Sequence, residues 1–109
     1  MSTTGGALDP QNFVGLARRV ALEAAQRNSI FLSPNALPAV DTLVKERMPR
    51  IERRFLEGTL DFAGWERLVR MAAEQVAKQY RAREIRSIDD PEELLRRVRP
   101  VLNVYPFDC

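Results

Sequence analysis

Four acidic residues form the densest group of side chains in the chain that could do chemistry: Asp89, Asp90, Glu92 and Glu93. Neighbouring carboxylates can bind a hard cation or divide acid and base roles between them. In this chain Pro91 follows Asp90, and a glutamate stands three residues after that aspartate, which is the pattern of a helix N-terminus capped by Asp. We therefore interpret the cluster as a helix start rather than as a catalytic or metal site.

Other side chains suited to catalysis are scarce. The chain has no histidine, which is the commonest general base and metal ligand, and one cysteine, Cys109. Ser-His-Asp and Cys-His arrangements, an intrachain disulfide and a structural zinc site are thereby excluded. The glycines match no phosphate-binding loop. We expect a non-enzymatic protein with no metal and no cofactor.

Composition indicates one small globular domain. Of 109 residues, 45% are apolar and 29% are charged, a balance typical of compact helical proteins, such as those of bacteria and their phages. The net charge of +2 is too small for a general attraction to polyanions. Because there is no apolar run of about 20 residues and no secretory leader pattern, we expect a cytoplasmic protein that does not associate with membranes.

Apolar periodicity and capping residues predict an all-α fold, a small bundle of about four helices. Asp9 and Pro10 start the first helix, which should reach Arg27. After a packed connection over 28–38, the apolar positions of the second helix keep one register across Pro49 up to Gly58. We interpret this as one kinked helix, with two short helices as the alternative.

The remaining helices follow the same signals. Thr59 or Asp61 caps the third helix, which should extend to about residue 83, and the fourth begins at Asp90 and Pro91. Pro100 predicts that the fourth helix ends near Arg99. The predicted organisation is thus a disordered N-terminal tail over 1–8, a single helical domain over 9–100 and an extended C-terminal tail over 101–109, and no internal repeat is evident.

Arginine-rich stripes raise the hypothesis of nucleic-acid binding. Basic residues of the third helix share the face opposite Trp65, and a stripe of this kind can follow a phosphate backbone. An acidic residue, however, stands four positions before a basic one seven times, the arrangement that favours ion pairs within a helix. These pairs are Glu23 with Arg27, Asp41 with Lys45, Glu46 with Arg50, Glu66 with Arg70, Glu74 with Lys78, Glu92 with Arg96 and Glu93 with Arg97.

Two arginines and the predicted tail depart from this picture of a solvated, ion-paired surface. Helical projection places Arg47 and Arg54 inside the apolar arc of the second helix. They either extend their charged ends to solvent, rotate outward at the kink or meet a partner at a seam. Leu22, Leu56 and Met71 fall outside the apolar stripes. The aromatic tail either folds back on the bundle or enters a partner's groove or sheet edge.

The leading hypothesis is a protein–protein interaction module: an adaptor, a regulator or a self-associating accessory protein that forms a homo-oligomer. Its candidate partner-binding residues are Arg47, Arg54, Leu56, Met71, Leu102, Val104, Tyr105 and Phe107. The alternative is a nucleic-acid-binding accessory protein that uses Arg47, Arg50, Arg54, Arg67, Arg70, Lys78 and Arg81. An enzyme that relies on carboxylates alone comes third.

Overall fold

The computed structural model describes residues 9–104 and confirms the all-α class. Four helices carry the chain: α1 (Pro10–Arg27), α2 (Leu37–Leu56), α3 (Phe62–Ala82) and α4 (Pro91–Val104). Two short strands, β1 (Phe31–Leu32) and β2 (Ser87–Ile88), and a 3-10 helix over Pro34–Ala36 lie between them. The predicted N-terminal tail over 1–8 lies outside the described residues.

The first helix has the predicted bounds. Asp9 is extended and accepts a hydrogen bond from the backbone N–H of Gln11 at 3.0 Å, and Pro10 follows at the first helical position. The apolar stripe is buried from Phe13 to Ala24. Ser29, with a φ of 61°, then turns the chain out of the helix.

The second helix is continuous through Pro49, as its single apolar register predicts. Pro49 lacks the N–H that would bond one turn back, but it lies on the exposed side of α2. The buried face therefore stays intact on both sides of the proline, and its members include Val40, Leu43, Val44, Met48 and Ile51. Gly58, with a φ of +77°, follows the end of the helix.

Of the two cap candidates for the third helix, the structure selects Asp61. Its carboxylate accepts a hydrogen bond from the backbone N–H of Gly64 at 2.8 Å, whereas the Thr59 hydroxyl donates back to the carbonyl of Arg54 at 3.2 Å. The buried residues of this helix are Trp65, Val69, Ala72, Ala77 and Tyr80. Capping and burial together place this helix against α1.

The prediction for the fourth helix was wrong at its C-terminal end. The helix does not stop near Arg99 but continues through Pro100 to Val104, so 101–104 are helical rather than part of an extended tail. Pro100 is exposed, while Val101 and Leu102 are buried. Burying two such side chains contributes about 1.5–3 kcal/mol each, enough to offset the hydrogen bond lost at a proline. Residues 105–109 lie outside the described part of the chain.

The connection over 28–38 contains an element that the sequence pattern did not predict. β1 pairs in parallel with β2, with Phe31 opposite Ser87 and Leu32 opposite Ile88. The second residue of each strand is buried and the first is exposed. Two residues are too few for an alternating pattern to be recognised, so the pairing depends on the helices that bring the strands together.

The helix–strand–helix order occurs twice, as α1–β1–α2 and as α3–β2–α4. Both first helices end alike: Ser29 and Glu84 each have a φ of 61°. The next residue in each case, Ile30 or Ile85, donates its N–H to a carbonyl five residues earlier, at 2.8 and 2.9 Å. The fold thus repeats a unit whose side chains show no evident sequence repeat.

Candidate functional site

The acidic cluster lies at the start of α4, where two of its carboxylates accept hydrogen bonds. Asp90 accepts a hydrogen bond from the N–H of Glu92 at 3.0 Å, and Asp89 accepts one from the Asn35 amide at 3.1 Å. Hydrogen bonds from Ser33 and Asn35 hold the pKa of Asp89 below its usual range. Within residues 9–104, no group of three or more acidic or cysteine side chains is placed to hold a metal ion. These carboxylates are committed to local structure.

Ion pairs follow the predicted spacing at some positions and cross between helices at others. Glu66 bonds Arg70 at 2.8 Å, and Glu93 bonds Arg97 at 3.1 Å, both four residues apart. Other acids form ion pairs with arginines on neighbouring helices: Glu23 with Arg70, Glu74 with Arg27, Asp41 with Arg18 and Glu46 with Arg99. Because Glu23–Arg70 and Arg27–Glu74 have the same spacing along the chain, α1 and α3 lie parallel.

The basic stripe of α3 is partly neutralised. Arg70 is bonded to two carboxylates, and Arg81 donates to the Asn28 side chain at 3.3 Å. Arg67 and Lys78 are exposed, and Lys78 is near enough to Glu74 to contribute to its lowered pKa. The stripe therefore does not present four free cations in a row.

Arg47 and Arg54 face inward, as the projection predicts. Arg47 is 9% exposed, its Nε is buried with no hydrogen-bond partner among the described residues, and its Nη1 lies 3.8 Å from a carboxylate oxygen of Glu46. Arg54 is half-buried, with Nη2 3.4 Å from the carbonyl oxygen of Thr59. The basic residues of α2 are thus not displayed together on one free face, although Arg50 between them is exposed.

The candidate partner-binding residues are dispersed. Leu56 is 79% exposed at the end of α2. Met71 is exposed on α3, nine residues after Phe62, where that helix begins, and so roughly 13 Å further along the helix axis. Leu102 is buried in the core, where it cannot meet a partner. Val104 ends α4, and Tyr105 and Phe107 lie outside the described residues.

Phe31 is an exposed aromatic residue that the sequence patterns did not identify. It is 64% exposed, although it lies in the connection over 28–38 that we predicted to be packed. Ile30 and Leu32 on either side are buried. This alternation is that of a strand with one covered face. Because residues 30–32 are all apolar, their types show no alternation by which the sequence could have identified it.

The apolar end of the bundle is a group of four side chains: Phe55, Leu56, Leu60 and Phe62. Leu56 is its exposed member, and the other three are half-buried. The rings of Phe55 and Phe62 meet edge-on at 5.8 Å, and both pack on the fully buried Phe13 beneath them, at 5.3 and 4.8 Å. Leu56, a predicted partner residue, directly follows Phe55 in the chain.

Two concave features complete the surface. An apolar cavity of about 120 Å³ lies inside the bundle and is bordered by Arg47, Tyr80 and Leu102 among core aliphatic residues. A more polar groove of about 530 Å³ opens between α3 and α4, where Arg83, Arg96 and Arg97 converge. Tyr80 borders both. The sequence patterns did not single out this arginine group, because its members come from separate segments.

The fold and its surfaces define a small all-α bundle of two helix–strand–helix units. No family model, curated protein or solved structure matches the chain. None of the helices over residues 9–104 is both long and apolar enough to cross a membrane.

Proposed function

We propose that the protein is a non-enzymatic helical interaction module, an adaptor, regulator or self-associating accessory protein, that binds a partner through the apolar end of its bundle. The observation that carries the proposal is the 79% exposure of Leu56, the residue after Phe55, whose half-buried ring meets that of Phe62. Scattered apolar residues are ordinary on a protein surface, whereas an exposed leucine next in the chain to a partly open aromatic pair is a candidate binding patch.

Helix lengths account for the open end. α4 has 14 residues and α2 has 20, which correspond to about 21 and 30 Å. Arg99 of α4 bonds Glu46 near the middle of α2, and the described part of α4 extends five residues beyond Arg99, fewer than the nine that separate Glu46 from Phe55. Covering an exposed leucine contributes about 1.5–3 kcal/mol. A partner that packs on this end of the bundle would gain that free energy in addition to aromatic contacts.

Non-enzymatic function is supported by how the polar groups are used. The chain has no histidine, and several of its acids cap a helix or bond arginines on neighbouring helices. The nucleic-acid alternative receives less support, because Arg70 is offset by two carboxylates and Arg47 is buried. A mobility shift with DNA or RNA that is lost when Arg70 and Arg81 become Glu would favour that alternative instead.

Replacing Leu56 with lysine tests the proposal. A lysine near a helix C-terminus is compatible with the helix dipole, so the bundle should fold while the apolar end becomes charged. We expect light scattering over a range of concentrations, together with affinity capture from the native host, to show a self-associated or partner-bound state that Leu56→Lys abolishes. Leu22→Lys, on the exposed side of α1, is the matched control and should leave association intact.

Two outcomes count against the proposal. A chain that stays monomeric and captures no specific protein lacks the proposed function. Association that survives Leu56→Lys but is lost in the Leu22→Lys control places the interface elsewhere.

A further inference from the structure

The groove between α3 and α4 lies apart from the apolar end and has a different chemistry. Arginines from two elements border it: Arg83 just after α3, and Arg96 and Arg97 on α4. Its volume of about 530 Å³ is within the range of small-molecule sites, roughly 300–1,000 Å³. Gln79 adds an amide, and Pro100 adds an apolar surface.

The groove carries excess positive charge. Glu93 holds Arg97 in place at 3.1 Å, and the guanidinium carbon of Arg97 lies 5.7 Å from the centre of the Tyr80 ring. Within residues 9–104, no ion pair or hydrogen bond occupies the guanidinium groups of Arg83 and Arg96. No acidic side chain borders the groove itself. Two arginine charges therefore remain after Glu93 has balanced Arg97.

Tyr80 borders the groove with its aromatic ring. The residue is 3% exposed, and its hydroxyl is buried with no hydrogen-bond partner among the described residues. Because the hydroxyl is buried too deeply for a ligand atom in the groove to reach it, the groove offers the ring of Tyr80 and not this oxygen. Burial raises the pKa of Tyr80, while the nearby charges of Arg97 and Arg96 lower it and that of Glu93 raises it.

We propose that this groove binds a small molecule that carries a phosphate monoester and a compact apolar body. Guanidinium groups bind phosphate oxygens through pairs of parallel hydrogen bonds. A phosphate monoester carries about −1.5 to −2 charges at pH 7, which matches the two uncompensated arginines better than a single carboxylate does. Its apolar body would lie against Pro100 and the edge of the Tyr80 ring.

A small ligand suits this groove better than a nucleic-acid strand. A strand needs cations spaced along a surface, but the neighbouring stripe of α3 is interrupted where Arg70 bonds two carboxylates. The net charge of the whole chain is also only +2. The cationic groups are thus concentrated at one point rather than along a track.

Calorimetric titration of the full chain at low salt tests the proposal, with phenyl phosphate and benzoate as matched probes. We expect phenyl phosphate to bind with a Kd of about 1 mM or below and benzoate to bind at least about tenfold more weakly. Arg83→Gln and Arg96→Gln should each weaken phenyl phosphate binding about tenfold. Both residues are exposed, so neither change should affect folding.

Arg67→Gln is the charge-matched control, because Arg67 is exposed on α3 and does not border the groove. It should leave the affinity within about twofold, since exposed charges that far apart are largely screened. Leu56→Lys should also bind phenyl phosphate normally, which separates this proposal from the one concerning the apolar end. Tyr80→Phe keeps the ring that borders the groove and removes only the buried hydroxyl, so it should leave the affinity unchanged.

Three results would overturn the proposal. The first is the absence of binding at roughly 10 mM phenyl phosphate, well above a weak millimolar Kd. The second is equal binding of benzoate, which would indicate a general carboxylate site. The third is binding of a short single-stranded oligonucleotide while phenyl phosphate does not bind, which would assign the groove to nucleic acid.

Discussion

Arg47 combines a buried position with a charge that no close partner balances. Its guanidinium reaches only to 3.8 Å from Glu46, whose carboxylate is already bonded to Arg99. The stem of the side chain borders the apolar cavity. Of the three alternatives for this residue, a side chain that packs by its stem and extends its end toward the surface accounts best for these contacts.

Arg47→Met tests this role of the stem. Methionine keeps the apolar stem and removes the buried charge, so we expect the free energy of unfolding in urea to stay unchanged or to rise by up to about 2 kcal/mol. Arg47→Ala removes the stem as well and should lower it by about 2 kcal/mol or more. A loss of more than about 1 kcal/mol in the methionine variant would show that the guanidinium itself stabilises the fold.

At the scale of the element, two glycines with open space around them should respond in opposite directions. Neither Gly15, within α1, nor Gly58, after α2, has a neighbouring atom within 4 Å of an added Cβ. Gly58 has a φ of +77°, so Gly58→Ala should lower the free energy of unfolding by about 1–2 kcal/mol. Gly15→Ala should raise it by about 0.5–1 kcal/mol. Thermal or urea unfolding of both variants measures the difference.

The outcome for the glycine pair depends on backbone conformation alone. If Gly58→Ala were neutral, the turn after α2 would have to adopt another conformation in the variant. A destabilised Gly15→Ala would instead point to a contact on the exposed side of α1.

The contact between α1 and α3 should weaken in acid. Hydrogen bonds from Arg27 and Asn28 lower the pKa of Glu74 from its ordinary value near 4.5. Because the folded-state pKa is the lower one, the contribution to stability is complete above about pH 4.5 and is lost as pH falls through the folded-state pKa. Glu74→Gln should cost at most about 1 kcal/mol at pH 7, since the pair is partly exposed.

Urea unfolding of Glu74→Gln and the unaltered chain between pH 7 and pH 3 checks this dependence. The two curves of stability against pH should converge at low pH, where Glu74 is protonated in both folded and unfolded chains. A difference that stayed constant down to pH 3 would contradict the proposed origin of the shift. Asp89, whose pKa is also lowered, remains in both chains and cancels in the comparison.

On the scale of the whole molecule, two apolar clusters form the interior. One surrounds Phe13 and Trp65, and the other surrounds Ile30, Tyr80 and Ile88 near the paired strands. Ala21, Leu37, Leu95 and Val98 pack against both clusters. Because these side chains belong to both clusters, and because α1 of the first unit packs against α3 of the second, we expect the two helix–strand–helix units to unfold together.

Ile88→Ala tests this cooperativity. The substitution removes buried volume at the strand pair and should lower the free energy of unfolding by about 2–5 kcal/mol. Because Trp65, the one tryptophan, lies in the other cluster, its fluorescence should shift to lower urea together with the helical circular dichroism signal. A fluorescence midpoint that stayed at its original value would mean that the units unfold separately.

Local signals in the sequence determined the first three helices, the cap at Asp9 and the inward position of Arg47, and they limited the cap of the third helix to Thr59 or Asp61. Each depends on residues within about one or two turns, where helix geometry alone sets the spacing. The same holds for the ion pairs of Glu66 with Arg70 and Glu93 with Arg97.

Only the tertiary structure decided the features that join distant segments. Glu23 and Glu74 bond arginines on another helix, β1 pairs with β2, and α4 continues past Pro100 because Val101 and Leu102 bury against the core. The sequence identified Leu56 as an outlying apolar residue, and the tertiary structure showed that Phe55 beside it in the chain packs with Phe62 on Phe13. The arginine groove likewise exists only because α3 and α4 pack side by side, and no pattern within four residues encodes which helices become neighbours.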